Sequence, residues 1–375
     1  MSNISLNQSK RIFDEIQLNK NEDCKGCIFL KETNQKPNFT SEVLHLSIEH
    51  HSVCNLRCDY CSEVYWGGKR SKYKVADFVK NLSENKNLSN CRQVVWGGGE
   101  PTLDKSFEEI FEKIHLEANP KMYHRVFTNS VRFSEPLNKF LKKGVVKITT
   151  SIDAGTEETF KKVRGRQKLY EVFKNLSIYS KNDPSKITIK YIFTKDNYSE
   201  KELDAFVEKC INFNLNECNY QISTNYKNKN LEFELFKGIT YLFHKLLKNK
   251  INRVFLDDHI VIKFGNINKS KFNELKKYLL SNKADEIILS PYNLDDLIVY
   301  GSGTIAKQLI QKTNFFKNIK NFNIVDSDLL RQGKSFCSKK IQSPEIIKDK
   351  NCKILIASAQ HYDEIHKNII NYKFC

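Results

Sequence analysis

No run of 18 apolar residues occurs in this 375-residue chain, so a membrane-spanning helix and a membrane partner are not expected. The stretch from Met1 to Lys20 is polar and charged and holds no apolar signal-peptide core, which makes the cytosol the expected compartment. Internal repeats and long low-complexity tracts are missing too. Arginine is scarce, at only 10 of the 61 basic residues. The formal charge of +17 and the pI near 9.2 therefore come from lysine. The lysines are spread along the whole chain, as coding bias in an AT-rich genome would spread them, and this argues against a nucleic-acid partner. What is present suffices for folding. Hydrophobic residues at 40% and aromatics at 11% can bury sizeable cores, which excludes wholesale disorder. The length suggests two or three domains.

The 11 cysteines are read against a reducing compartment, as thiols, metal ligands or catalytic groups and not as a disulfide framework. Cys54, Cys58 and Cys61 crowd together, and Cys24 and Cys27 form a second group. Cys91, Cys210, Cys218, Cys337, Cys352 and Cys375 are scattered. Cys210 falls on an apolar helical face and is expected in a core, and Cys91 is expected to be structural.

Strand-like and helix-like segments alternate from about residue 42. Leu44, Leu46 and Ile48 have period 2, and Val94 to Trp96 is a second short apolar run. A helix follows with Phe107, Ile110, Phe111 and Ile114 on one face. Val126-Phe127 and Val145 to Ile152 read as strands, Tyr170 to Tyr179 as a helix, and Ile187 to Phe193 as a fifth strand. Ser199 and Glu202 form a capping-box pattern before Leu203, Phe206, Val207, Cys210 and Ile211. A sixth strand is expected at Asn219 to Ser223 and a long helix at Leu231 to Leu247. Six β-then-α units predict an α/β fold with a parallel sheet or partial barrel. Beyond it, Val254 to Phe264 reads as strand, Lys271 to Leu280 as helix and Glu286 to Leu289 as strand. The expected domains are an N-terminal segment 1–39, a barrel 40–250, a connecting segment 251–293 and a small α/β domain 294–375.

Cys54-x-x-x-Cys58-x-x-Cys61 places three thiolates within eight residues. A cubane iron–sulfur cluster wants four ligands, so three leave one iron open to an exchangeable ligand. Zinc is the alternative, and His50 and His51 lie just upstream. This segment, with Tyr60 as the aromatic before the last cysteine, resembles the signature of the radical S-adenosylmethionine (radical SAM) superfamily. So do Gly97-Gly98-Gly99-Glu100-Pro101, Thr128-Asn129-Ser130 and Ser151-Ile152-Asp153, each falling in the family's order at a β-to-α turn, and Arg164-Gly165 follows at the family's usual distance. Ser130 stands where glycine is usual. The resemblance spans about residues 42 to 225 and implies a partial (β/α)6 barrel. It implies a [4Fe–4S] cluster on Cys54, Cys58 and Cys61. Tyr60, Gly97, Gly98, Gly99, Glu100, Asn129, Ser151, Asp153 and Arg164 would bind S-adenosylmethionine. It also implies reductive cleavage of that cofactor, hydrogen abstraction from a substrate, and an electron donor such as flavodoxin or ferredoxin. Independently, ligands of parallel barrels sit at C-terminal strand ends, where all these motifs fall.

Cys24-x-x-Cys27 could join distant cysteines in a second metal centre or be a strap of two reduced thiols. In the last domain, strand Leu297 to Tyr300 leads into Gly301-Ser302-Gly303-Thr304-Ile305-Ala306, a G-x-G-x-x-A variant opening a helix. Phe322 to Val325 reads as the next strand and ends in Asp326, and Ile354 to Ala357 and a helix from about Asp363 complete the unit. Gly301, Gly303 and Asp326 are candidate nucleotide contacts, with a phosphate at the helix N-terminus. The segment resembles short Rossmann-like modules of surface-glycan biosynthesis proteins, which implies a nucleotide-linked sugar or glycan precursor as the small-molecule substrate. The alternatives are radical modification of a peptide or protein, and a non-enzymatic iron–sulfur redox or nucleotide sensor.

Overall fold

The computed structural model describes residues 2–18, 20, 42–117, 122–225, 232–257, 260, 270, 297–312, 316, 319, 321–348, 352–358 and 361–374. An N-terminal helix, α1 (Ser2–Gln17), precedes two sheets. The first contains β1 (His45–Ile48), β2 (Gln93–Trp96), β3 (Tyr123–Phe127), β4 (Val146–Ser151), β5 (Ile187–Phe193), β6 (Asn219–Thr224) and β7 (Val254–Leu256). Its strands are all parallel and lie in sequence order, so the sheet has seven strands rather than the six expected. The intervening helices are α2 (Val75–Glu84), α3 (Phe107–Glu117), α4 (Glu135–Lys142), α5 (Glu157–Arg164), α6 (Leu169–Ser180), α7 (Glu200–Asn212) and α8 (Phe233–Lys248).

A parallel sheet whose order never reverses, with right-handed crossovers, carries all its helices on one face. The burial pattern agrees. On β5, Ile187, Ile189, Tyr191 and Phe193 are buried, while Thr188, Lys190 and Ile192 between them are half-exposed. The buried set joins Phe107, Ile110, Phe111, Phe173 and Phe206 of the helices in one apolar core. Trp96, Phe111, His124 and Phe140 stack within it, and Trp96 Nε1 donates to His124 Nδ1 at 3.1 Å. Burial pulls the His124 imidazole down to a pKa of about 3, so it is neutral at physiological pH.

Two expectations need correction. Ser199 is the N-cap residue of α7, but its side chain makes no cap bond. Glu202 reaches instead to the loop after β4, accepting from Gly155 N (2.5 Å), Thr156 N (2.9 Å) and Thr156 Oγ1 (2.9 Å). A tertiary partner has displaced the local one. The strand expected from Val254 to Phe264 ends at Leu256, and Ile260 is helical. The elements expected at Lys271–Leu280 and Glu286–Leu289 lie outside the described residues.

The second sheet contains β8 (Leu297–Tyr300), β9 (Phe322–Val325), β10 (Ser335–Phe336), β11 (Lys339–Gln342) and β12 (Lys353–Ile356), in the order β10-β11-β9-β8-β12. Only β10, the outer strand of a hairpin with β11, is antiparallel. Helix α9 (Thr304–Lys312) follows β8, and α10 (Tyr362–Phe374) follows β12. All four residues of β8 are buried. Leu297 and Val299 pack with Ala306, Leu309 and Phe316, while Ile298 and Tyr300 pack with Ile347 and Ile365. Both faces of this sheet are therefore covered.

Candidate functional site

The loop leaving β1 carries Cys54, Cys58 and Cys61, all half-buried free thiols. Backbone bonds dock it on the last turn of α5, from Arg57 N to Arg164 O (3.1 Å) and from Asp59 N to Val163 O (3.0 Å). Gly165, at φ +81°, caps that helix, and a Cβ there would lie 2.8 Å from Arg57 O. The other side of the loop lies on the turn after β2. Gly99 N donates to His51 O and Glu100 N to Val53 O, both at 2.8 Å. A Cβ on Gly99 would stand 2.3 Å from Val53 O, and one on Gly98 would stand 2.8 Å from His51 O. Gly98 and Gly99 thus admit the cysteine loop at close range.

Burial pushes the Cys54 and Cys58 thiols up, while the Arg164 guanidinium pulls both down. Three half-buried free thiols in one loop can hold three irons of a cluster and leave the fourth open to an exchangeable ligand. The histidines that left zinc open turn elsewhere, with His50 Nε2 against Asp104 Oδ2 at 2.5 Å and His51 Nδ1 accepting from Val53 N at 3.1 Å.

Glu100 joins two motifs. It is 2% exposed. Its Oε1 accepts from Thr102 Oγ1 and Thr128 Oγ1, each at 2.7 Å, and from Thr102 N at 3.3 Å. Its Oε2 accepts from Asn129 N at 2.6 Å. Burial raises the Glu100 pKa, and these donors oppose the rise. Asn129 then reaches the cysteine loop, with Nδ2 2.6 Å from Asn55 Oδ1 and 3.7 Å from Cys54 Sγ. Ser130 adopts φ +55°, the left-handed conformation in which glycine is usual, and its hydroxyl meets Thr150 Oγ1 at 2.8 Å.

Asp153 is fully buried at φ +63°. Tyr60 Oη (2.6 Å) and Arg164 Nη1 (3.1 Å) donate to its Oδ2, and Ile192 N donates to Oδ1 at 2.7 Å. Its carboxylate is thus held by protein groups. Arg164 also donates to the Tyr60 hydroxyl, and its Nε is buried without a hydrogen-bond partner. Ser151 is half-buried at the end of β4. Sequence reasoning did not single out Asn55 or Asn197, named Thr128 only as part of a turn motif, and read Glu202 as a helix cap. Asn55 could have been found from its place inside the cysteine motif. Asn197, which donates to Asp153 O at 2.9 Å, carries no local signal.

In the second sheet, Asp326 Oδ2 accepts from Ser302 N (2.8 Å) and Ser302 Oγ (2.5 Å). Burial opposes ionisation of Asp326, but the Ser302 and Asp328 donors hold its pKa below the ordinary range. Gly301 is at φ +104°, and a Cβ on Gly303 would meet nothing within 4 Å. Cys91, Cys210, Cys218 and Cys352 are buried and Cys337 is half-buried. Cys24, Cys27 and Cys375 lie outside the described residues. Among the described residues, no helix is long and apolar enough to cross a membrane.

The family model for the radical SAM superfamily matches residues 48–209. The GTP 3′,8-cyclase of Actinobacillus succinogenes is 29% identical over 166 residues, 44% of this chain and 48% of that one. The GTP 3′,8-cyclase of Mannheimia succiniciproducens is 28% identical over 171 residues, covering 45% and 50%. The chain thus spans about half the length of these curated relatives. Among solved structures, Streptococcus suis SuiB bound to precursor peptide SuiA aligns with a TM-score of 0.48 and 15% identity, over 71% of this chain and 67% of that one. Native anSMEcpe with bound AdoMet aligns with a TM-score of 0.44 and 18% identity, over 88% and 96%. The domain match supports an enzyme of the radical SAM class, with S-adenosylmethionine and a [4Fe–4S] cluster as its cofactors. Over residues 48–209 the chain is thus similar to the radical SAM superfamily.

Proposed function

We propose that the protein cleaves S-adenosylmethionine reductively and abstracts hydrogen from a small substrate, a nucleotide-linked sugar or glycan precursor in its most specific form. The observation that carries this reading is the set of three half-buried free thiols in one loop packed against the Gly98-Gly99 turn. Cys54, Cys58 and Cys61 would hold a [4Fe–4S] cluster, which would supply the electron for reductive cleavage of a carbon–sulfur bond of S-adenosylmethionine. The protein's tasks are then binding, orientation and exclusion of water. Glu100 fixes the turn after β2 to Thr128 and Asn129. Arg164 keeps one buried donor, Nε, for an acceptor the protein does not provide. Ser151 is half-buried at the end of β4. An external donor such as flavodoxin or ferredoxin completes the reading.

Two features favour a nucleotide-bearing substrate. The four parallel strands β11-β9-β8-β12 take the 3-2-1-4 order of a doubly wound nucleotide-binding sheet, and Gly301 to Gly303 opens α9 at its first strand end. The curated relatives carry GTP in their names. Asp326 serves in this reading by shaping the turn through Ser302. Reduced protein given S-adenosylmethionine is expected to form 5′-deoxyadenosine and methionine, followed by chromatography. Methyl transfer with S-adenosylhomocysteine as sole product would overturn the reading.

A further inference from the structure

The face of the first sheet turned away from its helices is polar and carries cations. Strand register aligns Val95, Arg125 and Lys147 on adjacent strands, and aligns Ser151, Lys190 and Gln221 two layers further along. Residues aligned in this way share a face. Arg125 and Lys147 are therefore neighbouring like charges, an unfavourable pairing across strands. Lys190 has a counter-ion, with Asp257 Oδ2 at 3.7 Å, and that carboxylate also accepts from Gln221 and Ser223. Glu49, past the end of β1, accepts from Ser47 two strands away from Arg125.

Arg125 differs from Lys190. It is half-buried, and among the described residues its contacts are the Thr149 hydroxyl at 3.3 Å and the Phe127 ring at 5.0 Å. No carboxylate of the described residues pairs with it. Burial lowers its pKa, the expected response of a cation whose environment supplies no opposite charge. Tyr123 and Phe127 on either side are 44% and 40% exposed. A guanidinium removed from water without a counter-ion is unfavourable, and an arriving oxyanion relieves it through a bidentate pair.

We propose that the open face around Arg125 receives an oxyanion of the substrate, a phosphate or a carboxylate, with Arg125 as the fork that holds it. The inference rests on the enzyme reading above and narrows its substrate to an anionic one.

The test uses full-length, anaerobically reconstituted protein, with inorganic triphosphate as the phosphate probe and citrate as the carboxylate probe, followed by calorimetry and thermal shift. At least one probe is expected to bind saturably, and Arg125→Met is expected to weaken it by roughly tenfold or more, the loss of charge-assisted hydrogen bonds. Response to triphosphate alone assigns a phosphate, and response to citrate alone assigns a carboxylate. Without anion, Arg125→Met is expected to melt at or above the wild-type temperature, because it removes an uncompensated charge. Two results would overturn the inference: neither anion binding in an Arg125-dependent way, or a ligand-free Arg125→Met that melts several degrees lower, as loss of a structural ion pair would require. Failure of the enzyme reading looks different, with anion binding intact but no 5′-deoxyadenosine formed by the wild type.

Discussion

The two sheets solve the burial problem in opposite ways. The first keeps sequence order, takes helices on one face and leaves half-exposed polar side chains such as Thr188 and Lys190 on the other. The second reverses its order at β8, is covered on both faces and buries every residue of that strand. A one-sided sheet offers its open face and its strand ends to a ligand. A two-sided sheet offers only the crevice where its order reverses. The turns that follow differ in the same sense. A Cβ on Gly99 would collide with Val53 O at 2.3 Å, whereas one on Gly303 would meet nothing within 4 Å.

The largest expected effect separates the sheets by residue parity. In β8, both Ile298→Asp and Val299→Asp place a charge in a closed core and should cost more than about 4 kcal/mol. In β5, Ile189→Asp should do the same, while Thr188→Asp should cost less than about 1 kcal/mol. Denaturant unfolding of the four variants measures this, and equal losses at Thr188 and Ile189 would break the one-sided description. A smaller contrast is expected between the glycines. Gly99→Ala must displace the cysteine loop and should cost about 2 kcal/mol or more, with loss of bound iron. Gly303→Ala, at a backbone conformation open to any residue, should change stability by less than about 1 kcal/mol.

Acid should also distinguish the regions. His124 of the first sheet has its pKa lowered to about 3, so it contributes stability above the unfolded value of 6.5 that is lost as pH falls through the window from 6.5 to 3. Asp326 of the second sheet, also lowered, contributes above the ordinary aspartate range and loses that contribution only at more acid pH. The first sheet should therefore weaken first on acidification. His124→Gln should flatten the melting-temperature profile between pH 6.5 and 4, by at most about 1.4 kcal/mol per pH unit. An unchanged profile would show that the buried imidazole is not the acid-sensitive group.

The sequence made visible whatever is contiguous. Cys54, Cys58 and Cys61 share one loop, and the strand expected from Ile187 to Phe193 matches the observed β5 residue for residue. What stayed hidden depends on partners far along the chain. Glu202 follows Ser199 at capping-box spacing, yet it bonds Gly155 and Thr156, 47 and 46 residues away. The close approach of Gly98 and Gly99 to residues 51 to 53 is a pairing of the same kind. The strand expected through Phe264 stops where Asp257 turns to Gln221 and Ser223, a choice set by the neighbouring strand. Glu100 was legible as a residue of the site but not as the link between its two turns, because Thr128 and Asn129 lie 28 and 29 residues on.

The central claim is that the three thiols of one loop hold a cluster that binds S-adenosylmethionine. Electron paramagnetic resonance of the reduced, anaerobically reconstituted protein, with and without S-adenosylmethionine, tests it most directly. The account predicts a [4Fe–4S] signal that S-adenosylmethionine shifts, and its loss when Cys54, Cys58 and Cys61 are all replaced by alanine. A triple variant that kept all its iron and the same shifted signal would contradict it.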